Sequence, residues 1–322
     1  MIFSSIRKWL RKKPGPRRLL ILNPTSGHGR GLKQFDAIQP RLREMLGDYE
    51  LIFTHGPGDA TEFVREALKD REFKQILVAG GDGTIHEAMN GYFENGKALS
   101  DDIPLGFINL GTGGDFYRTV RSMSPDYSVA LHNNAYRLVD CGETTIEPMG
   151  FTRYFMNIAS AGVAGLVLKN LKASRFQNGT PAFFYHTLRT LIQYRPARVR
   201  VSYLDVEGNQ HEFEEKIVNF FVCNGRFNGG GMKWAPFGNI EDGSFQVVCI
   251  KQTSKLRIVL DSRKVYGGQL DGVSGLTQFE SSDLSIQPID PISLELDGEI
   301  PPIESPKSIR FRNMHLKLPI VL

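Results

Sequence analysis

The chain has 322 residues, 41% of them hydrophobic and 23% charged, with a formal net charge of +4. That length suits two domains, each burying its own core, in an ordinary soluble protein. No apolar run approaches the roughly 18 residues of a membrane span, the charge is too mild for a nucleic-acid partner, and Cys141, Cys223 and Cys249 are too few and too scattered for a disulfide framework or zinc site, which fits the reducing cytoplasm.

Residues 1–16 read as a segment of their own. Arg7, Lys8, Arg11, Lys12 and Lys13 alternate with Ile2, Phe3, Ile6, Trp9 and Leu10 until Pro14 stops the pattern. On a helix the apolar residues share one face, and a basic amphipathic helix with a Trp can lie among the headgroups of an anionic membrane. Residues 1–13 are thus candidates for a peripheral contact with the inner face of the membrane. The alternative is a solvated basic arm.

From residue 17 to 140 strands and helices alternate. Strands are expected at 19–22, 50–54, 75–78 and 103–109, and helices at 32–46, bent or restarted at Pro40, at 60–68 and at 85–93. Such alternation makes an α/β domain with a parallel sheet, whose ligands gather at the carboxyl ends of the strands. From 141 to 322 the texture is β-rich, with strands expected near 154–158, 199–204, 212–222, 245–250, 284–286, 292–296 and 309–318 and helices at 182–193 and 254–265. This is the pattern of a mainly antiparallel β-sandwich domain, whose last strands could return to the first domain.

Three glycine-bearing corners fall at the sheet edge. Val78-Ala79-Gly80-Gly81-Asp82-Gly83-Thr84 joins a strand to a helix, where glycines admit a bulky anion and the helix start offers unpaired N–H groups. Asp82 among those donors would repel a bare phosphate, so a magnesium–nucleotide complex is the better match. Asn23-Pro24-Thr25-Ser26-Gly27 follows the first strand, and Gly111-Thr112-Gly113-Gly114-Asp115-Phe116 the fourth. By contrast Gly91 to Ala98 only imitates a phosphate loop: Ala98 lacks the hydroxyl, and a helix rather than a strand precedes it. In the second domain Asp242 either binds a cation with nearby carbonyls or shapes a turn. Asp297-Gly298-Glu299 ends a strand and is expected to present two carboxylates outward, one of them as the base that deprotonates an alcohol. Phe176, Phe183, Phe184 and Tyr185 are candidates for an acyl-chain pocket, or for ordinary core.

In order and spacing, Asn23-Pro-x-Ser26-Gly27, Gly80-Gly-Asp-Gly-Thr84, Gly111-Thr-Gly113-x-Asp115-Phe116 and Asp297-Gly-Glu299 resemble the diacylglycerol kinase catalytic-domain family, which includes bacterial lipid kinases and the sphingosine and ceramide kinases. The resemblance implies ATP and Mg2+ in a cleft between the domains and phosphoryl transfer to a lipid hydroxyl. It matches nucleotide positions to Asn23, Pro24, Thr25, Ser26, Gly27, Thr54, Gly80, Gly81, Asp82, Gly83, Thr84, Ile85, His86 and Thr112. It matches the base to Glu299, with Asp82 its rival, and a structural magnesium site to Asp242 with carbonyls of Asn239 and Ser244. One departure is Gly114, where bacterial members usually carry Asn. His86-Glu87 with Asn90-Gly91 is closer to the sphingoid-base kinases. The other readings are a NAD-kinase-like phosphotransferase, from the shared Gly-Gly-Asp-Gly-Thr turn, and a lipid- or nucleotide-binding protein without catalysis.

Overall fold

In the computed structural model, residues 17–174, 176, 179–303 and 306–322 are described. The basic segment of residues 1–13 lies outside them.

The first lobe is built from β1 (Arg17–Leu22), α1 (Gly31–Leu46), β2 (Glu50–Phe53), α2 (Asp59–Asp70), β3 (Phe73–Gly80), α3 (Asp82–Asn90), β4 (Leu105–Asn109), α4 (Asp115–Met123) and α5 (Tyr127–Asn133). Strands β2-β1-β3-β4 pair in parallel. Leu19, Leu20, Ile21, Leu22, Ile76, Leu77 and Val78 are fully buried, as expected of strands covered by helices on both faces. Helix α1 runs through Pro40 as one element, with Pro40 on its exposed side, where water can serve the carbonyl that loses its partner.

The second lobe comprises β5 (Tyr136–Glu147), β6 (Phe151–Phe155), β7 (Ile158–Gly162), α6 (Val163–Ala173), α7 (Gly179–Gln193), β8 (Ala197–Leu204), β9 (Gln210–Cys223), β10 (Phe245–Lys251), α8 (Lys255–Tyr266), β11 (Leu276–Ser281), β12 (Asp283–Pro288), β13 (Leu294–Leu296) and β14 (Ser308–Val321). These strands pair antiparallel, and the inner faces enclose a core that includes Phe155, Phe220, Phe245 and Phe311. A second apolar cluster, with Phe221 stacked on Trp234 at 4.2 Å, lies on the opposite face of β9 beneath α7 and α8. Strand β9 is therefore buried on both sides, which explains why Ile217–Cys223 is apolar at every position but Asn219.

The lobes are continuous. Strand β14 pairs with β5 along most of its length and meets β4 in parallel at Ile320 and Leu105. Its end, Leu318 to Val321, packs in the core of the first lobe. The expected strand over 154–158 is instead two, β6 and β7, broken at Met156 and Asn157. Strands β5 and β11 and helices α4, α5 and α6 lie outside the elements the pattern predicts. Among the described residues no helix is long and apolar enough to cross a membrane.

Gly142 of β5 lies directly under the Phe155 ring, which also packs edge-on against Phe311 with centroids 6.1 Å apart. An alanine Cβ at 142 would overlap the ring. Gly142→Ala is expected to lower stability by about 1–3 kcal/mol, seen as a fall in the urea midpoint at constant slope. An unchanged midpoint would show that the ring can move aside.

Candidate active site

Three strand ends of the parallel sheet converge. Gly80 closes β3, and a Cβ there would sit 2.6 Å from that of Thr84, while one on Gly111 would sit 2.6 Å from the Cα of Gly81. The corners after β3 and β4 can touch because Gly111 has no side chain. Asn23, after β1, donates from Nδ2 to Thr84 Oγ1 at 2.9 Å and accepts at Oδ1 from the backbone and hydroxyl of Thr25. Gly27 adopts left-handed φ and shapes that loop.

Around these corners lies a polar cavity of about 430 Å3, lined by Asn23, Thr25, Ser26, Thr54, His55, Gly56, Gly81, Gly83, Thr84, Glu87 and Glu299. Ser26 Oγ is buried with no protein partner. Gly81, Gly83 and Thr84, at the start of α3, line this space, and a helix start has unpaired N–H groups that suit an anion. Loop 55–56 is held by Asp59, whose Oδ2 accepts from the amides of His55 and Gly56. The sequence reading missed His55, Gly56 and Glu87, which carry no glycine-rich signature.

Beyond Glu299 opens a second cavity, of about 470 Å3, between α6, α7, α8 and the sandwich. Its walls are apolar, with Val167, Leu171, Phe183, Leu191, Phe221 and Trp234 among them. Asp82, Thr112, Asp115, Asp297 and Glu299 line its polar end. Phe184 also lines it, whereas Phe176 and Tyr185 pack edge-on against each other, about half exposed. Gly83 and Glu299 line both cavities.

The carboxylates at this junction have distinct partners. Asp82 Oδ2 accepts from the Gly114 amide at 2.7 Å, and its Oδ1 is buried with no protein partner. Burial, and then the charge of Asp115, push the Asp82 carboxyl up to about 6. Asp115 bonds Arg118 Nη1 at 2.6 Å and the Gly230 amide at 2.9 Å. Glu299 pairs with Lys172 Nζ of α6 at 2.7 Å and leans over Gly83, where a Cβ would lie 2.7 Å from its Oε1.

Asp297 departs from expectation. It does not face outward with Glu299: it is turned inward, in left-handed backbone, and accepts four bonds, from the amides of Met156, Asn157 and Ile158 and from His86 Nδ1. With its oxygens occupied it is a positioning residue. His86 is correspondingly buried between Asp297 and Asn90, and Ile85 lies in the core, so neither side chain reaches the polar cavity. Pro24 and Gly27 act through loop shape. Gly114 is left-handed, and a Cβ there would run into the carboxamide of Asn109.

Around Asp242, Oδ1 accepts from the amide and hydroxyl of Ser244, Asn239 Oδ1 accepts from the Glu241 amide, and the Ser244 carbonyl accepts from Asn313. The turn has a use for Asp242 without an ion. Among the described residues, no three His, Cys, Asp or Glu side chains form a metal cage. Asp82, with its unpaired buried oxygen, is the side chain best suited to share a cation with ligand oxygens.

Sequence families match along most of the chain: the diacylglycerol kinase catalytic domain over residues 17–143, and the YegS C-terminal NAD kinase beta sandwich-like domain over residues 157–318. The diacylglycerol kinase of Bacillus subtilis (strain 168) is 27% identical over 308 residues, covering 94% of this chain and 96% of that protein. The diacylglycerol kinase of Staphylococcus carnosus (strain TM300) is 23% identical over 287 residues, 88% of each chain. A crystal structure of a diacylglycerol kinase from Bacillus anthracis str. Sterne shares the fold, with a TM-score of 0.65 at 20% identity over 96% of this chain and 98% of that one. With both domain families matched in order, the chain belongs to the diacylglycerol kinase catalytic-domain family of lipid kinases.

Proposed function

We propose that the protein is an ATP-dependent lipid kinase, with the nucleotide in the polar cavity and the acyl part of the acceptor in the apolar one. The observation that carries this reading is that a single carboxylate, Glu299, borders both cavities beside the start of α3. Phosphoryl transfer needs an in-line acceptor oxygen, a base for its proton and fixed donors around the phosphate. In this reading Glu299 takes the proton of the lipid hydroxyl as that oxygen bonds to the γ-phosphorus and the bond to ADP breaks. The N–H groups that open α3 hold the phosphate oxygens. Asp297 fixes the turn that carries Glu299, and Lys172 fixes its carboxylate. A magnesium ion at Asp82 would supply neutralisation of the phosphate charge. A soluble acceptor such as NAD fits less well, because the acceptor side of Glu299 is walled by apolar side chains.

The acceptor would be drawn from an anionic membrane. Helices α6, α7 and α8, which cover the apolar cavity, carry Lys169, Lys172, Arg189, Lys255, Arg257, Arg263 and Lys264 against a single acid, Asp261. Phe184, Ile192, Leu256 and Leu260 are exposed on the same helices. Basic charge with exposed apolar side chains suits a peripheral contact with anionic lipid.

Transfer of label from ATP, with magnesium, to a panel of diacylglycerol, ceramide, sphingosine, monoacylglycerol, phosphatidylglycerol and NAD tests the reading. Glu299→Gln is expected to cost at least about a hundredfold in kcat while the variant stays folded. Near-normal turnover would remove Glu299 from its role, and label only in NAD would transfer the reading to a soluble acceptor.

Asp82 makes a separate prediction. Its folded pKa, about 6, is raised above the model-compound value of 3.8, so the folded state binds this proton more tightly than the unfolded state does. Stability is therefore lost as pH rises from about 4 to 6, by on the order of 1–3 kcal/mol for such a shift. Asp82→Asn has no charge to desolvate, and its amide oxygen can still accept from Gly114. Chemical denaturation should find the variant more stable than wild type at pH 8, the difference closing near pH 4. A variant less stable at pH 8 would show that Asp82 does not bear this cost.

A further inference from the structure

Strand β13 reads Leu294-Glu295-Leu296, and the two leucines face the sandwich core. By alternation Glu295 faces the other way, into the apolar cavity, where it is only 3% exposed. Its Oε1 accepts from Ser160 Oγ at 2.9 Å and Asn228 Nδ2 at 3.2 Å, and its Oε2 accepts from the Gly298 amide at 2.8 Å. A carboxylate offers about four acceptor sites, so three donors leave one open. Neighbouring register positions add another polar group. Ser160 of β7 lies opposite both Glu295 and Phe221, and Gly162, two residues on, lies opposite Asn219 of β9. Asn219 also lines the cavity and is fully buried; its Oδ1 accepts from the Ala164 amide, and its Nδ2 has no protein partner.

An acyl chain has no use for either group. A buried carboxylate with spare capacity and an unpaired buried amide are both costly in an apolar wall, and each is relieved by a ligand that supplies the missing partner. The open site on Glu295 calls for a donor, and Asn219 Nδ2 calls for an acceptor. Glu295 is bonded to the Asp297-Gly298-Glu299 turn through the Gly298 amide, so its subsite adjoins the position of the reacting hydroxyl.

We infer that Glu295 and Asn219 form a polar subsite that selects an acceptor lipid carrying a second hydroxyl or N–H group close to the phosphorylated hydroxyl, over one whose neighbouring group is an ester or ether. The inference rests on the lipid-kinase reading for the identity of the cavity's ligand. It goes further in naming the chemistry that distinguishes one lipid from another. Selection of this kind is strong when a buried polar group is left unpaired by the wrong ligand.

The test uses two lipids matched in chain, 1-monoacylglycerol and its 2-O-methyl analogue. Both keep the primary hydroxyl, and only the first has a donor at the second carbon. Each is measured twice on the full chain: for kcat/KM with magnesium-ATP in mixed micelles, and, without ATP, for displacement of a fluorescent acyl probe. Wild type is expected to favour the free hydroxyl by at least about tenfold in both measurements. Glu295→Gln, which can still accept from Gly298, should reduce that ratio to threefold or less and change the O-methyl lipid little. Asn219→Asp keeps an oxygen for Ala164 but removes a donor that the oxygen at the second carbon of either lipid can accept, and should weaken displacement by both; unchanged displacement would remove Asn219 from the subsite. Glu295 acting only as a clasp on the turn would lower both lipids together and leave the ratio intact, which overturns the inference. A wild-type ratio near one, in transfer or in displacement, overturns it as well. Preference in displacement without phosphate transfer to either lipid would sustain the subsite while sinking the kinase reading. Transfer to both lipids without preference would do the reverse.

Discussion

The arrangement depends on one buried carboxylate. Asp297 takes three successive backbone amides, Met156 to Ile158, and the ring of His86. Those donors belong to the break between β6 and β7 and to α3, so one side chain joins the turn after β13 to both lobes. Charge-assisted bonds to a carboxylate are the stronger kind of hydrogen bond. With four of them Asp297 stays put, and the chain leaves it at Gly298 in a direction that delivers Glu299 above Gly83. The broken strand follows from the same cause: amides given to Asp297 cannot also serve a sheet ladder.

Around that joint the molecule keeps several acids within one small region by giving each a different partner. Asp115 has Arg118, Glu299 has Lys172, Asp297 has backbone amides, and Asp82 has one amide and one empty oxygen. Of these four only the last is left short, and burial raises its pKa accordingly. A site that receives polyphosphate gains from a group left unsatisfied until the ligand arrives, at a cost to the stability of the empty protein. Lys172 and Glu299 are both about half exposed. Such a pair is weak, so it can orient the carboxylate without holding it against a substrate hydroxyl.

Much of the polar cavity was legible because backbone shapes it. Gly80 and Gly111 are demanded by contacts that leave no room for a side chain, and a glycine-rich corner between a strand and a helix leaves that mark in the residues themselves. The acceptor side was harder to read, since its parts come from far apart in the chain. Lys172 is an ordinary lysine on α6 until the fold sets it beside Glu299. Glu295 looks like the exposed position of an alternating strand, and only the helices packed over β13 make it a buried one. Asp297 and Glu299 are indistinguishable in a turn written Asp-Gly-Glu; the left-handed φ of Asp297 separates them, and the distant amides of residues 156–158 show why. Helix α6 was hidden because its apolar start, Val163-Ala164-Gly165-Leu166, continues the buried run of β7 without a polar cap.

The two cavities can share a residue only if the lobes cannot slide past each other, and β14 secures this. It pairs with β12 and β5 in the sandwich, then ends inside the first lobe beside β4. Separating the lobes would expose Leu318, Ile320 and Val321 to water, each fully buried, and breaking that contact costs several kcal/mol at about 25 cal/mol per Å2 of apolar surface. The parallel sheet, the sandwich and the Asp297 joint therefore behave as one frame. What lies outside that frame is the helical cover of the apolar cavity, α6 to α8. These helices carry exposed apolar residues and the half-exposed ion pair of Lys172 with Glu299, the features of the less stable parts of a fold. In the proposed reading, entry of a lipid chain is then a matter for that cover, while the spacing of the two cavities is set by the strands of the frame.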